Sequence, residues 1–359
     1  MARVKLLTPG PVEVPRRVLE AASKPVISHR CGEFRELLRR VTEGLMEVFG
    51  LSDGYVAVLA GSGTSAVDAM LWGFIGPGEK ALIVAHGLFG ERIAESLRAR
   101  GAAAEVLTPR EPGGVVDPED VGRVLEGGGF KAVVLVHNET SMGVRYPWIR
   151  RVSEEAHESG ALVLVDAVSS LAGDVFSMEE MGVDAAASCS HKAIAAPPGA
   201  GFVAVTSEAA RLLRSDVPPS LSVKRYVEKY RATGETPFTP PVNTLYAVSA
   251  ALERILVEYG LDKYIEMHRE RAWRLYRGMP RGYRRVALSD ETASVTVPAF
   301  WTPVPAGRVI AKALERGLRI APGVGRYRER MVRIGVMGDI SMDDIEELVE
   351  AAAEALEPG

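Results

Sequence analysis

Along the first 210 residues, short unbroken apolar runs alternate with amphipathic stretches. The runs are Tyr55–Ala60, Ala81–Ala85, Ala132–Val136, Ala161–Val165 and Phe202–Thr206, each bounded by Gly, Pro or polar residues. Successive side chains of a strand point to opposite faces, so an unbroken apolar run predicts a strand buried on both sides. Between the runs, helical spacing of apolar positions predicts helices over Thr64–Ile75, Gly90–Arg100 and Trp148–Ser159. Strand alternating with helix predicts an α/β fold: a mostly parallel sheet covered by helices, with binding groups at the carboxyl ends of the strands.

Beyond Thr206 the pattern changes. Ser215–Val242 holds Pro218, Pro219, Pro237, Pro240 and Pro241 and reads as extended loop. Two long helical patterns follow, Asn243–Tyr259 and Leu261–Met279. The last stretch predicts a smaller α+β unit, with Ser294–Val297 as strand, Ala306–Arg316 as helix and Val332–Val336 as strand. Ser341-Met-Asp-Asp344 has the form of a capping box, opening a final helix to about Leu356.

At 359 residues the chain is long enough for one large and one smaller core. A formal net charge of -4 gives no electrostatic reason to expect nucleic acid or a membrane surface as partner. No run approaches the ~18 apolar residues that span a bilayer. The N-terminal MARVKLLTPGPVEVP turns to Pro and Gly before any signal-peptide core, so a cytoplasmic location is expected. Cys31 and Cys189 are the only cysteines and the histidines form no HExxH, so neither a disulfide framework nor a metal site is expected. Gln is absent, Asn occurs only at positions 138 and 243, and Arg outnumbers Lys. Scarce thermolabile amides suggest heat adaptation, although GC-rich coding also raises Arg.

Three segments carry candidate chemistry. Gly61-Ser-Gly-Thr64 joins the first strand to a helix. Glycines there let an anion approach the backbone, and the free N–H groups of a helix start favour a phosphate, although a plain Ser-capped turn reads the same way. Asp166 ends the run Ala161–Val165, either as a helix cap or as a carboxylate aimed at a site. In Ser188-Cys-Ser-His-Lys192-Ala-Ile-Ala-Ala-Pro-Pro-Gly199 a lone lysine sits among small and apolar residues. Burial there would favour the neutral amine that Schiff-base chemistry needs, whereas a lysine snorkelling to the surface would stay charged.

The order of phosphate turn, strand-end Asp and lysine loop resembles the type I fold of pyridoxal-phosphate enzymes. Through SCSHKAIAAPPG, HNETSMG, VDAVSSLAG and VRIGVMG the chain is similar to the class V aminotransferases, in their alanine–glyoxylate and serine–pyruvate branch. The resemblance implies three parts: an N-terminal active-site segment over 1–15, a large cofactor-binding domain over 16–245 and a small domain over 246–359. It implies pyridoxal phosphate as cofactor, with Lys192 as the Schiff-base lysine and proton shuttle. Ser62, Gly63, Thr64 and His191 would hold the phosphate, and Asp166 the pyridine nitrogen. Val168 would lie under the ring, Phe89 would stack on it, and Thr140 would bond its hydroxyl. Thr239 would reach a phosphate across a homodimer interface, while Thr236 stands where the branch often has Tyr. Arg333 would grip the substrate carboxylate, with Gly10 near it.

The implied reaction is ping-pong transfer of an amino group from alanine or serine to glyoxylate or pyruvate. The alternatives on the same fold are phosphoserine, aspartate or 2-aminoethylphosphonate as donor. The phosphate or phosphonate of the first and last would need further cationic groups, for which Arg225 and Arg326 are the candidates. A cysteine desulfurase would need a later nucleophilic cysteine, and nothing after Cys189 supplies one. A non-catalytic scaffold on the same fold would have no use for Lys192, Asp166 and Arg333 together.

Overall fold

Seven strands form the central sheet of the computed structural model, which describes residues 4–357. The first three residues of the expected N-terminal segment lie outside that range. The strands are β1 (Gly54–Gly61), β2 (Lys80–Val84), β3 (Ala103–Leu107), β4 (Phe130–Val136), β5 (Leu162–Asp166), β6 (Ala185–Cys189) and β7 (Gly199–Thr206). Their order is β1-β7-β6-β5-β4-β2-β3, and only β7 runs antiparallel to its neighbours. Val133, Val134 and Leu135 in β4 are fully buried, as an apolar run facing helices on both sides requires. One face packs on the helices Gly32–Phe49 and Val242–Glu253, the other on Gly63–Phe74 and Leu88–Arg100.

The strand order reverses between β2 and β4. The helix after β2, Leu88–Arg100, covers one face, and the helix after β4, Ile149–Glu158, covers the other. The two loops therefore diverge, and a crevice opens at the strands' carboxyl ends, where α/β sheets bind ligands.

A second sheet holds β8 (Arg284–Arg285), β9 (Ala299–Trp301), β10 (Ala321–Pro322) and β11 (Met331–Arg333), in the antiparallel order β8-β9-β11-β10. Its core packs against the helices Leu261–Gly278, Ala306–Glu315 and Met342–Glu354. The capping box at Ser341 and Asp344 forms, and Lys5 adds an ion pair to Asp344 at 2.6 Å. The N-terminal segment joins this unit rather than the large sheet. Lys5–Leu6 pairs in parallel with Leu318–Arg319, and Gly335 N–H donates to the Leu7 carbonyl at 2.8 Å. Among the described residues, no helix is long and apolar enough to cross a membrane.

Two sequence expectations need correction. Ser215–Val242 is not continuous loop, for Val223–Thr233 is a helix that buries Val223, Tyr226 and Val227 on one face. Its prolines lie only at the flanks, and the i, i+3, i+4 spacing between them forms the helix. Ser294–Val297 is not a strand; the strand begins at Ala299. There Ser294 Oγ accepts from the N–H groups of Thr296 at 3.3 Å and Val297 at 2.9 Å. A serine hydroxyl that takes nearby backbone donors competes with ladder formation.

Candidate active site

The crevice is lined by Ser62, Gly63, Thr64, Phe89, Thr140, Asp166, Val168, His191 and Lys192, with Asn138 and Ser169 beside them. Ser62 caps the helix Gly63–Phe74 by accepting from Ser65 N–H at 3.2 Å, in a reciprocal box with Ser65. That leaves the N–H groups of Gly63 and Thr64 without a helical carbonyl, and both face an anion-favouring helix start. A β-carbon on Gly63 would fall 2.8 Å from Val168, so only glycine lets the helix start settle on that side chain.

Asp166 ends β5 with 7% of its surface exposed, and its Oδ1 accepts from Val168 N–H at 2.9 Å. Burial pushes its carboxyl up to about 6, with the charge of Glu139 adding; the Val168 N–H and Lys192 oppose. Lys192 follows β6 on a loop of small residues, closed by Ala195 in the left-handed region at φ 58°. Tyr264 is fully buried and fixes this loop by donating to the Ala193 carbonyl at 2.8 Å. Burial lowers the Lys192 amine, Arg333 lowers it further, and Cys189 and Asp166 oppose. Lys192 Nζ donates to the Pro9 carbonyl.

His191 is pushed down to about 4, first by burial and then by Lys192, so its ring is neutral near pH 7. Its Nε2 lies 3.6 Å from Cys189 Sγ, and its Nδ1 is buried without a hydrogen-bond partner among the described residues. The Oδ1 of Asn138 is likewise buried and unbonded, while its Nδ2 donates to Ser169 Oγ at 2.8 Å. Orphaned polar atoms around a helix start, beside a carboxylate and an amine, fit an anionic, heteroaromatic group such as pyridoxal phosphate.

Arg333 stands at the rim. Its Nε donates to the Pro322 carbonyl at 2.9 Å and its Nη1 to the Thr140 carbonyl at 3.1 Å. Among the described residues no carboxylate lies within ion-pair distance of it, and burial lowers it to about 10. A half-buried guanidinium held by carbonyls alone can take a carboxylate in two-pronged fashion. Gly10 lies against Lys192: a β-carbon there would fall 2.5 Å from Nζ. Thr239 does not line the crevice and is exposed, on a turn tied down by Arg30 and Glu235.

A second cavity of about 570 Å³ is lined by Leu88, Ser141 and Met142, which neighbour the crevice residues Phe89 and Thr140 in sequence. Arg326 and Arg110 lie on its wall with Glu91 and Glu111, and His86 lines it with Leu88. Arg225 is exposed on the helix Val223–Thr233 and lines neither space.

Sequence reading passed over several residues around the crevice. Asn138 was signalled by rarity, being one of two asparagines in the chain. Arg92, whose guanidinium lies 5.0 Å over the Phe89 ring, sits one helical turn beyond it. Glu139 and Tyr264 gave no local sign.

The class V aminotransferase model matches residues 6–347. The chain is 30% identical to the alanine–glyoxylate aminotransferase of Callithrix jacchus, over 98% of this chain and 87% of that one. It is 28% identical to the L-aspartate–glyoxylate aminotransferase of Paracoccus denitrificans, over 94% and 87%. Its backbone matches the crystal structure of a subgroup IV aspartate aminotransferase from Thermus thermophilus with a TM-score of 0.90, at 33% identity and over 98% and 100% of the two chains. Matches of this extent carry the cofactor with them, because the chemistry common to such enzymes is that of pyridoxal phosphate. From its N-terminal strand to its last helix, the chain belongs to the class V aminotransferases.

Proposed function

We propose that this aminotransferase transfers an amino group from alanine or serine to glyoxylate or pyruvate in two half-reactions at one site. The observation that carries the reading is the meeting of a lysine lowered by burial with a buried strand-end carboxylate, beside a helix start and an arginine that has no ion-pair partner among the described residues. Pyridoxal phosphate supplies an aldehyde that condenses with amines and a cationic ring that withdraws electrons from the neighbouring carbon.

The chain's own groups divide the remaining work. The N–H groups of Gly63 and Thr64, with the hydroxyls of Ser62 and Thr64 and the ring of His191, would hold the phosphate. Asp166 would hold the ring nitrogen protonated, Thr140 the ring hydroxyl, and Phe89 and Val168 the two faces. Lys192 Nζ, its pKa lowered by burial, would take the proton from the α-carbon of the amino acid and return it on the far side of the amino nitrogen. Arg333 orients the substrate through its carboxylate, and the Pro9–Gly10 segment covers the amine against water. Thr239, exposed on its anchored turn, would serve the second subunit of a homodimer. A cytoplasmic, heat-adapted enzyme completes the proposal; the lack of Gln and surface networks such as Arg316 with Glu350 and Glu354 support heat adaptation.

A second reading takes aspartate as donor. It is favoured by Arg326 and Arg110, neither of which has an ion-pair partner among the described residues, on the cavity beside Ser141. A rate matrix separates the readings: alanine, serine, aspartate and phosphoserine as donors against glyoxylate, pyruvate and 2-oxoglutarate. Alanine or serine with glyoxylate or pyruvate is expected to lead by at least ~10-fold in kcat/KM. Leading rates with aspartate would replace the first reading by the second. No transfer with any pair, or full activity in Lys192→Ala, would overturn both.

A further inference from the structure

We propose that Glu139 is a positioning residue of the active site, whose buried carboxylate locks the segment carrying Phe89 to the turn carrying Thr140 and, through Thr140, to Arg333. The inference rests on the reading that Phe89 stacks on the cofactor ring.

Glu139 has none of its surface exposed. Its Oε2 accepts from Phe89 N–H at 3.1 Å and Gly90 N–H at 3.3 Å, across a sequence separation of about fifty residues. Its Oε1 accepts from Ser141 N–H at 3.1 Å and from Ser141 Oγ at 2.5 Å. Ser141 Oγ in turn accepts from Leu88 N–H at 3.0 Å. The helix Leu88–Arg100 starts at Gly87, which has no side chain to cap it, so its first donors are served from the neighbouring loop. There is no slack in this joint. A β-carbon on Gly87 would fall 2.4 Å from Ser141 Oγ, and one on Gly90 would fall 2.4 Å from Ala85.

Helix capping alone does not account for the choice of residue. A neutral hydroxyl reaching across from the same loop, as Ser141 does for Leu88 N–H, would satisfy such donors without taking a charge out of water, which is costly. Burial pushes the Glu139 carboxyl up, and the N–H and O–H groups it receives pull it back. A carboxylate can accept from two segments at once through two oxygens, and it also acts on the site. Its negative charge supports the protonated form of Arg333, whose Nη1 is bonded to the carbonyl of the next residue, Thr140. The same charge raises Asp166. One group therefore sets the stacking ring, the Thr140 side chain and the substrate arginine relative to each other.

Glu139→Gln keeps the shape but places an amide N–H₂ against donors on one side. With cofactor saturating, the bound cofactor's visible circular dichroism is expected to fall at least twofold, and KM for the amino donor to rise at least fivefold. The dissociation constant of pyridoxal phosphate should rise at least tenfold. A carboxylate that only capped a helix would lower the melting temperature and leave dichroism and KM unchanged; that result overturns the proposal. Should the variant not fold, Ser141→Ala decides, because it loosens the grip on Glu139 while keeping the charge. At least a twofold change in dichroism supports the proposal, and wild-type dichroism and KM sink it. Phe89→Ala is run alongside: no change there means that the stacking reading has failed, whereas a change there with none in Glu139→Gln means that Glu139 has no positioning role.

Discussion

Gly10 stands where any side chain would strike Lys192, for a β-carbon there falls 2.5 Å from Nζ, 2.7 Å from Cε and 2.8 Å from Cδ. The backbone passes along the lysine stem, and the carbonyl of Pro9 takes the amine's hydrogen bond. Gly10 also holds φ 137°, which L side chains rarely adopt. Gly10→Ala is expected to displace the amine and lower kcat ~100-fold or more, the usual scale of an ångström's misplacement at a reacting group. Kinetics beside far-UV circular dichroism test this: a folded variant with near-normal kcat would mean that the contact is idle.

Asp166 sets function against stability. Its carboxyl is raised from 3.8 to about 6, so the folded, cofactor-free protein binds that proton more tightly than the unfolded chain. The stability this lends is complete below about pH 4 and is lost as pH rises through about 6. The difference of roughly two units is worth on the order of 3 kcal/mol. Asp166→Asn should therefore make the cofactor-free protein more stable than wild type near ~pH 8, and near ~pH 5 the gain should shrink. Turnover should fall ~100-fold or more, because an amide cannot keep a ring nitrogen charged. Urea unfolding at the two pH values, with kcat, tests both halves; a variant less stable near ~pH 8 would contradict the burial argument.

Arg333 is aimed by two carbonyls, Pro322 through Nε and Thr140 through Nη1. A lysine cannot reproduce that planar fork. Arg333→Lys is expected to raise KM for amino acid and 2-oxo acid together by ~10- to 100-fold, with a smaller change in kcat. Equal KM values in the two proteins would remove Arg333 from substrate binding.

Away from the crevice, Asp174 has 1% of its side chain exposed and pairs with Arg145 Nη1 at 2.8 Å. Asp174→Ala strands a guanidinium that is itself largely buried, at a cost of about 3–5 kcal/mol. Thermal unfolding should show a clear drop in Tm, and an unchanged Tm would mean that solvent replaces the pair at no cost.

The buried strands were legible because their apolar runs are unbroken, as Ala132–Val136 shows. β3 was not, since Ala103–Leu107 is an edge strand whose side chains are exposed or half-buried and whose sequence includes a glutamate. The helix Val223–Thr233 was masked by flanking prolines, though its apolar spacing was present. At the site, residues that touch the crevice from strand ends could be named because each lies in a local motif. Glu139 and Tyr264 act on segments distant in sequence, and no local pattern records that. The contact of Gly10 with Lys192 likewise depends on how the N-terminal segment crosses the molecule.

That crossing has a consequence for biosynthesis. The residues over the lysine leave the ribosome well ahead of their seat, which is made of Leu318–Arg319, Gly335 and Asp339, far along the chain. The large sheet can close as soon as β7 is made, whereas Leu7 waits for its apolar neighbours Ile334 and Val336. A nascent chain stalled short of them would carry the amine with its roof still undocked, so competence for turnover arrives only once that distant seat has been made.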